Sequence, residues 1–403
     1  MYIRNFYIDK IKPFIKKPVI KVITGMRRVG KSCFLKQIIQ FLKQQQVNEK
    51  NILYIDMEQL EFDFIRNYQD LNNHINQSFT GITGYRYLFI DEVQDIRQWE
   101  KTINSLLNKG NMDIYITGSN AHLFSSELAT LISGRYIEFP IYSLSFKEFL
   151  LFRGDKKKDQ SHEFQNYLRF GGLPGIHHFE FDEDILYQYL RSIYDTIILK
   201  DIIKRYDIRN VHLLENINKY LLDNIGNTFS AKRISDYLKS QKLSVGVDTV
   251  QNYISYFLDT FAAFKIQRYD IKGKRILEFH EKYFLADVGL RHAVLSYRAA
   301  ELPGVLENLV FLELKRKNYT VHIGKLGDKE IDFIAEKKDK KLYIQVAYLL
   351  ASEEIIKREF TPLQQIKDNY PKYVLSTDAL LGSDYEGIQR LNIMDFLLSE
   401  EEL

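Results

Sequence analysis

Between residues 25 and 32 the chain reads Gly-Met-Arg-Arg-Val-Gly-Lys-Ser, two glycines separated by four residues and followed at once by a lysine and a hydroxyl. This pattern, G-x-x-x-x-G-K-S, suits the holding of a polyphosphate. Glycines let backbone N–H groups come close to phosphate oxygens, and a helix amino terminus points its dipole and unpaired N–H groups at the same anion. Lys31 is placed to reach the β- and γ-phosphates, and the Ser32 hydroxyl to hold Mg²⁺. Gly25, Arg28, Val29, Gly30, Lys31, Ser32 and Cys33 are therefore the expected nucleotide contacts, with ATP and Mg²⁺ as cofactors. For Arg27 and Arg28 two readings stay open, contact with phosphate and exposure to solvent. Cys33 is expected as a small packing residue in the first helical turn, not a redox centre.

A hydrolytic site needs a carboxylate for the metal and a base for water, and "RYLFIDEVQDI" offers both. Asp91, at the end of an apolar run, suits Mg²⁺ directly or through water. Glu92 follows it and is placed to polarise the water that attacks the γ-phosphate. "DIYITGSN" ends a further apolar run in Ser119-Asn120, so either residue could sense the γ-phosphate, the alternative being a helix N-cap. Arg135, ahead of the run Tyr136–Phe139, has two readings: a finger for a neighbouring subunit's nucleotide, or an internal salt bridge. The expected catalytic set is thus Glu92, Lys31, Asn120 and Arg135, with Ser32 and Asp91 on the metal.

The elements that must position these groups are legible around them. Val19 to Ile23 is strand-like, and "SCFLKQIIQFLKQQQ" carries apolar residues at helical spacing, so the loop lies between strand and helix. Further apolar runs at Ile52–Asp56, Tyr87–Asp91, Ile114–Thr117 and Tyr136–Phe139 alternate with helical patterns, the signature of a parallel α/β sheet with its site at the strands' carboxyl ends. Composition narrows the rest. The chain has 403 residues, enough for two or more domains, and 56 Lys plus Arg against 53 Asp plus Glu gives a net charge of +3. So small a surplus carries no general affinity for nucleic acid; any such binding requires a local patch. The single cysteine excludes an internal disulfide and a multi-cysteine metal site. No run approaches a membrane span or a secretory signal, so a cytoplasmic protein without membrane contact is expected.

"GMRRVGKS", "YLFIDEVQDI", "YITGSN", "LISGRYIEFPIYSLSFKEFL" and "LRFGGLP" together resemble the bacterial and archaeal AAA+ superfamily ATPases whose carboxyl-terminal half is a domain of unknown function. The resemblance implies a P-loop NTPase core at residues 1–150, a helical lid at 151–208, a winged helix at 209–280 and a restriction-endonuclease-like α/β domain at 281–403. It also implies ATP hydrolysis as the activity.

The residues of the later regions support parts of this. Ser230 caps "SAKRISDYLKSQ", "GVDTVQNYISYFLDT" forms a second helix, and "AAFKIQRYDI" with "KRILEF" reads as a hairpin, the order of a winged helix. The second helix carries Gln251 and Asn252 but no Lys or Arg, a poor surface for DNA phosphates. Lys232, Arg233, Lys239, Lys242, Lys272, Lys274 and Arg275 nearby could form a patch; DNA contact and an interdomain or oligomer contact stay open. In the last domain the resemblance to PD-(D/E)XK nucleases puts Glu307 and Asp332 in the first two acid places. The third place reads Gln345-Val346-Ala347, so one carboxylate and the water-activating lysine are missing. Migration of Lys341 or Lys325 into the site is the alternative. Otherwise Glu307 is a helix-face residue and Asp332 an interdomain contact. The expectation is a nuclease-like fold without nuclease activity. The chain then reads as an ATPase coupling hydrolysis to remodelling of DNA or protein. The alternatives are a nucleotide-gated regulatory or DNA-binding module and, less favoured, an ATP-coupled nuclease.

Overall fold

A computed structural model describes residues 2–121, 132, 134–378 and 384–401 of the chain. Leu131 and Ser133, in the stretch before Arg135, lie outside the described residues. The chain divides into two compact units, Met1–Ile141 with Asp259–Phe261, and Tyr142–Leu258 with Ala262–Leu403.

The first unit is built on five strands: β1 (Ile20–Thr24), β2 (Ile52–Asp56), β3 (Arg86–Asp91), β4 (Met112–Gly118) and β5 (Tyr136–Pro140). All pairings are parallel, in the order β2-β3-β4-β1-β5. Every residue of β1 and β4 is buried, as expected for strands covered on both faces. The helices α1 (Asn5–Ile11), α2 (Lys31–Gln44), α3 (Tyr68–Ser78) and α4 (Trp99–Lys109) accompany the sheet. One polar feature lies inside it: Lys21 of β1 forms a buried ion pair with Asp113 of β4, whose carboxylate also accepts from the Tyr115 hydroxyl at 2.9 Å. Because β4 lies between β1 and β3, its carboxyl end falls between the segment after β1 and the one after β3. That order positions the site.

The second unit opens with α5 (Phe146–Arg153), α6 (Gln160–Phe170) and α7 (Glu183–Thr196), which continues as a π-helical stretch, Ile197–Ile203. Next come α8 (Val211–Asp223), β6 (Thr228–Phe229), α9 (Ala231–Ser240), α10 (Val247–Asp259), β7 (Ala263–Asp270) and β8 (Arg275–Leu285). After α11 (Val288–Leu295), the chain runs α12 (Leu302–Arg316), β9 (Thr320–Leu326), β10 (Lys329–Lys337), β11 (Lys340–Val346), α13 (Glu353–Gln364) and β12 (Lys372–Ser376). It ends with β13 (Asp384–Tyr385), β14 (Ile388–Asn392) and α14 (Ile393–Leu398). The expected hairpin β7–β8 is antiparallel, but it is no separate module. β7 also pairs in parallel with β9, giving one nine-stranded sheet in the order β13-β14-β12-β11-β10-β9-β7-β8-β6. The expected division between residues 280 and 281 therefore falls inside β8.

The stretches "PIYSLSFKEF" and "GGLP" meet in this unit around a buried acid that the sequence did not single out, Asp287. Its carboxylate accepts from Gly172 N at 2.7 Å and Gly289 N at 2.9 Å, and a Cβ on Gly171 would sit 2.0 Å from its Oδ1. The Ser143 hydroxyl donates to Ala286 O, and Arg316 donates to Ser143 O and Leu144 O. These residues form a joint between the early helices and the sheet. Burial pushes the Asp287 carboxyl up to about 6, against the pull of its backbone donors. Among the described residues no helix is long and apolar enough to cross a membrane.

Candidate nucleotide site

The turn after β1 is shaped by its glycines. Gly25 has φ +142°, and a Cβ there would lie 2.2 Å from the Ile141 carbonyl oxygen, so a side chain is excluded on both counts. Gly30, at φ +101°, caps α2 and starts the helix at Lys31. Arg28 is exposed at φ +68°, and Arg27 reaches Glu58 at 3.0 Å, so neither arginine is committed to the interior of the loop. The buried Lys31 ammonium donates to Gly25 O at 3.1 Å and Met26 O at 3.3 Å, and lies 3.6 Å from Glu92 Oε1. Cys33 is exposed in the first turn of α2, so it does not serve as the packing residue expected of it. The packing on that turn comes from its neighbour Phe34, whose ring meets Tyr7 of α1 edge-on.

The two carboxylates converge on the same place from β3. Asp91 is buried and accepts from the Tyr54 hydroxyl at 3.0 Å, from the Thr117 hydroxyl and from Ser32. Thr117, on β4, uses one oxygen twice: it donates to Asp91 Oδ1 and accepts from Glu92 N at 2.9 Å. Glu92 sits in the left-handed region at φ +54°, a strained place for a side-chain-bearing residue, and the Thr117 contact helps hold it there. Its carboxylate accepts from the Ser119 hydroxyl at 3.0 Å and from the Gln94 amide. Electrostatics separate the neighbours. Burial raises the Asp91 carboxyl above its ordinary range. Burial also works to raise Glu92, but Lys31, Gln94, Arg27 and Ser119 outweigh it and leave that carboxyl below its ordinary range.

A hydroxyl (Ser32) and one carboxylate (Asp91) fit Mg²⁺, which prefers few protein ligands and takes the rest from phosphate and water. Among the described residues no three His, Cys, Asp or Glu side chains converge to hold a metal alone. Of the residues expected at β4, Ser119 touches Glu92, while Asn120 is buried beside it in sequence. Arg135 lies elsewhere. It precedes β5 at the amino end of the parallel sheet, roughly 17 Å of strand from the loop after β1, and donates to Asn104 and Asn108 of α4. Among the described residues it forms neither a salt bridge nor a contact with the Gly25–Ser32 loop. Tyr54, Thr117 and Gln94 were not foreseen. Thr117 and Tyr54 lie in apolar strands and show no pattern until β2, β3 and β4 are set side by side.

A second acid cluster lies in the other unit. Glu307 of α12, Glu330 and Asp332 of β10 surround Lys282 of β8, whose ammonium is 3.0, 2.8 and 3.8 Å from their oxygens. Asp332 also accepts from Val346 N at 2.8 Å, and Gln345 Oε1 accepts from Asp332 N. Asp332 is thus bound inside its own sheet, not at a domain boundary. The lysine comes from β8, not from Lys341, which pairs with Glu336. Burial pushes both Glu307 and Asp332 upward; Lys282 opposes the shift.

The chain matches the AAA domain family over residues 17–150 and a domain of unknown function, DUF8612, over 161–301. It is 37% identical over 400 residues to an uncharacterized protein of Haemophilus influenzae, covering 99% of both chains. It is 32% identical over 344 residues to one of Methanocaldococcus jannaschii, covering 82% of this chain and 75% of that one. The solved structure of the Aeropyrum pernix ORC1 protein in complex with DNA is 10% identical, with a TM-score of 0.32, covering 73% of this chain and 92% of that one, too distant to carry functional detail. With a glycine-rich loop and paired carboxylates on a parallel sheet, a match to the AAA domain over residues 17–150 and one relative aligned over 99% of both chains, the chain belongs to the family of these relatives and carries an AAA domain of the AAA+ P-loop type.

Proposed function

We propose that the chain binds ATP with Mg²⁺ in the Gly25–Ser32 loop and hydrolyses it. The observation that carries this reading is the arrangement at Glu92. Its carboxyl is held below the usual carboxylate range, so it is ionised at neutral pH, as a general base must be. Glu92 takes a proton from water, the water oxygen bonds to the γ-phosphorus, and the β–γ bridging oxygen leaves with ADP. Lys31 carries charge to the β- and γ-phosphates, while Ser32 and Asp91 would hold Mg²⁺, which neutralises charge developing on the phosphate oxygens. Ser119 orients Glu92, and Asn120 stands beside it as the candidate γ-phosphate sensor. Arg135, exposed just ahead of β5 beside α4, is left for contact with another copy.

The second unit takes the order α12–β9–β10–β11–α13–β12, with β10 antiparallel to both neighbours and β11 parallel to β12. This supports the nuclease-like reading, as α9, α10 and the antiparallel β7–β8 pair support the winged-helix one. Ala347 in the lysine place and Lys282 among the acids support a domain without nuclease activity. The work driven by hydrolysis is directed at DNA, a reading favoured by the cations around the β7–β8 turn.

The test is calorimetry and phosphate release on three proteins. Lys31→Ala should lose ATP binding. Glu92→Gln should keep it while turnover falls by about 10² or more, the usual weight of a general base. Unchanged affinity in the first, or normal turnover in the second, would overturn the assignment. Rates with single-stranded DNA, duplex DNA and RNA then identify the stimulating partner.

A further inference from the structure

Pairing of β7 with β9 brings together basic residues that the sequence distributes over two expected domains. The β7–β8 turn carries Lys272, Lys274 and Arg275, all exposed. Beside it lies the β9–β10 turn: Ile271 N donates to Lys325 O at 2.9 Å, and Lys272 Nζ is 3.8 Å from where a Cβ on Gly327 would stand. Lys325 and Lys329 flank that second turn, and Lys329 borders a cleft of about 610 Å³ whose far wall, on α13, presents Lys357, Arg358 and Thr361. Among the described residues none of Lys272, Lys274, Arg275, Lys325, Lys329 and Lys357 forms an ion pair.

The carboxylates on this face are mostly engaged. Glu330 is held by Lys282 and Glu359 by Arg358, and Asp270 accepts from Lys272 N, which leaves Asp328 and Glu354 at the margin. At the cleft floor Gln345, 8% exposed, accepts from Asp332 N at its Oε1, while its amide Nε2 donates to none of the described residues. A donor opening on a cleft where Lys329 and Lys357 stand unpaired, and where Glu330 and Glu359 are already held by cations, suits an oxyanion.

We propose that this face binds the phosphodiester backbone of a nucleic acid, running from the β7–β8 turn across the β9–β10 turn, with one phosphate at the cleft near Gln345. The backbone is recognised by charge and not by sequence. The recognition helix α10, with Gln251 and Asn252 and no cation, plays no part in affinity. The inference rests on the DNA-directed part of the proposed function and replaces the winged helix's usual contact by one at the turns between strands of the sheet.

The experiment uses the full chain and labelled duplex DNA, single-stranded DNA and RNA of one sequence, followed by anisotropy over a range of salt. Neutralising some six phosphates gives log affinity against log salt a slope near −5 on duplex DNA. Two variants, Lys272→Ala/Lys274→Ala/Arg275→Ala and Lys329→Ala/Lys357→Ala, should each weaken binding at least ~10-fold on any sequence. They should flatten the slope by roughly 2–3 and 2 respectively. Gln345→Glu should weaken binding with the slope little changed, and Gln251→Ala/Asn252→Ala should match wild type. DNA-free ATPase rates should be normal in every variant. Lost DNA-free ATPase in wild type condemns the nucleotide reading and leaves this one to be judged by its own binding curves. The surface is refuted by wild-type affinity and slope in both lysine variants, by loss confined to the α10 variant, or by binding to anionic phospholipid vesicles and to none of the nucleic acids.

Discussion

Thr117→Val is the sharpest test of how the β3–β4 pair holds the candidate base. Valine fills the same volume but removes an oxygen that donates to Asp91 and accepts from Glu92 N. A hydrogen bond to a charged group is worth about 1.5–3 kcal/mol, and a buried N–H left without an acceptor costs about 1–3 kcal/mol. The two together put the loss of stability near 3 kcal/mol, a fall in Tm of about 10 °C for a unit of this size. The functional effect should exceed the structural one. Without Thr117, Glu92 is free to relax from φ +54°, and a carboxylate misplaced by about 1 Å loses on the order of 10² in kcat. ATP affinity should change little, because Lys31 and the loop glycines are untouched. Thr117 also holds the Asp91 carboxyl down against its burial, so its loss moves Asp91 further upward and shifts the acid limb of the ATPase pH profile to higher pH. Thr117→Ser keeps the oxygen and should run near wild type. Steady-state phosphate release over pH 5–9, with thermal unfolding alongside, reads all of this. A valine variant within two-fold of wild-type kcat would refute the reasoning.

Two further predictions concern the second unit. His177 lies among the rings of Phe149, Phe152 and Phe181, and burial, with Arg153 and His178, pushes its imidazole down to about 3. The unfolded state therefore binds a proton that the folded state refuses. Stability is full above the ordinary histidine value of 6.5 and falls as pH drops from there toward 3, at up to ~1.4 kcal/mol per unit. His292, pushed down to about 4, acts in the same sense, while Asp287, raised to about 6, acts in the opposite one. His177→Leu should remove about one proton's slope between pH 4 and 6 in denaturant titrations; an unchanged slope would exclude the cage. Lys282→Met should leave Glu307, Glu330 and Asp332 without their counter-ion and cost about 3–5 kcal/mol at pH 8. The deficit should shrink at pH 5 as Glu307 and Asp332, both pushed upward by burial, take up protons, and equal deficits at the two values would show that Lys282 merely packs.

The amino-acid sequence alone determined the phosphate loop, the Asp91-Glu92 pair and the strand runs that carry them. Each is local: a glycine that must take positive φ, a lysine one residue later and a carboxylate at the end of an apolar run all lie within a few residues. The parallel sheet was legible for the same reason, since its central strands β1, β3 and β4 are buried on both faces and every strand is uninterrupted in sequence. The tertiary structure decided the rest, because it depends on which strands become neighbours. Thr117 and Tyr54 reach Asp91 only once β4 and β2 flank β3, and Lys282 meets Glu307 and Asp332 only because β8 shares a sheet with β10. Arg135 is drawn off to Asn104 and Asn108, and Cys33 is turned to solvent, by packing that no spacing announces. The cations of two turns form one surface because β7 pairs with β9, a contact across some fifty residues of chain. Hydrogen bonding between distant strands has no local signature, so a residue's type records what it can bind but not which partner the fold supplies.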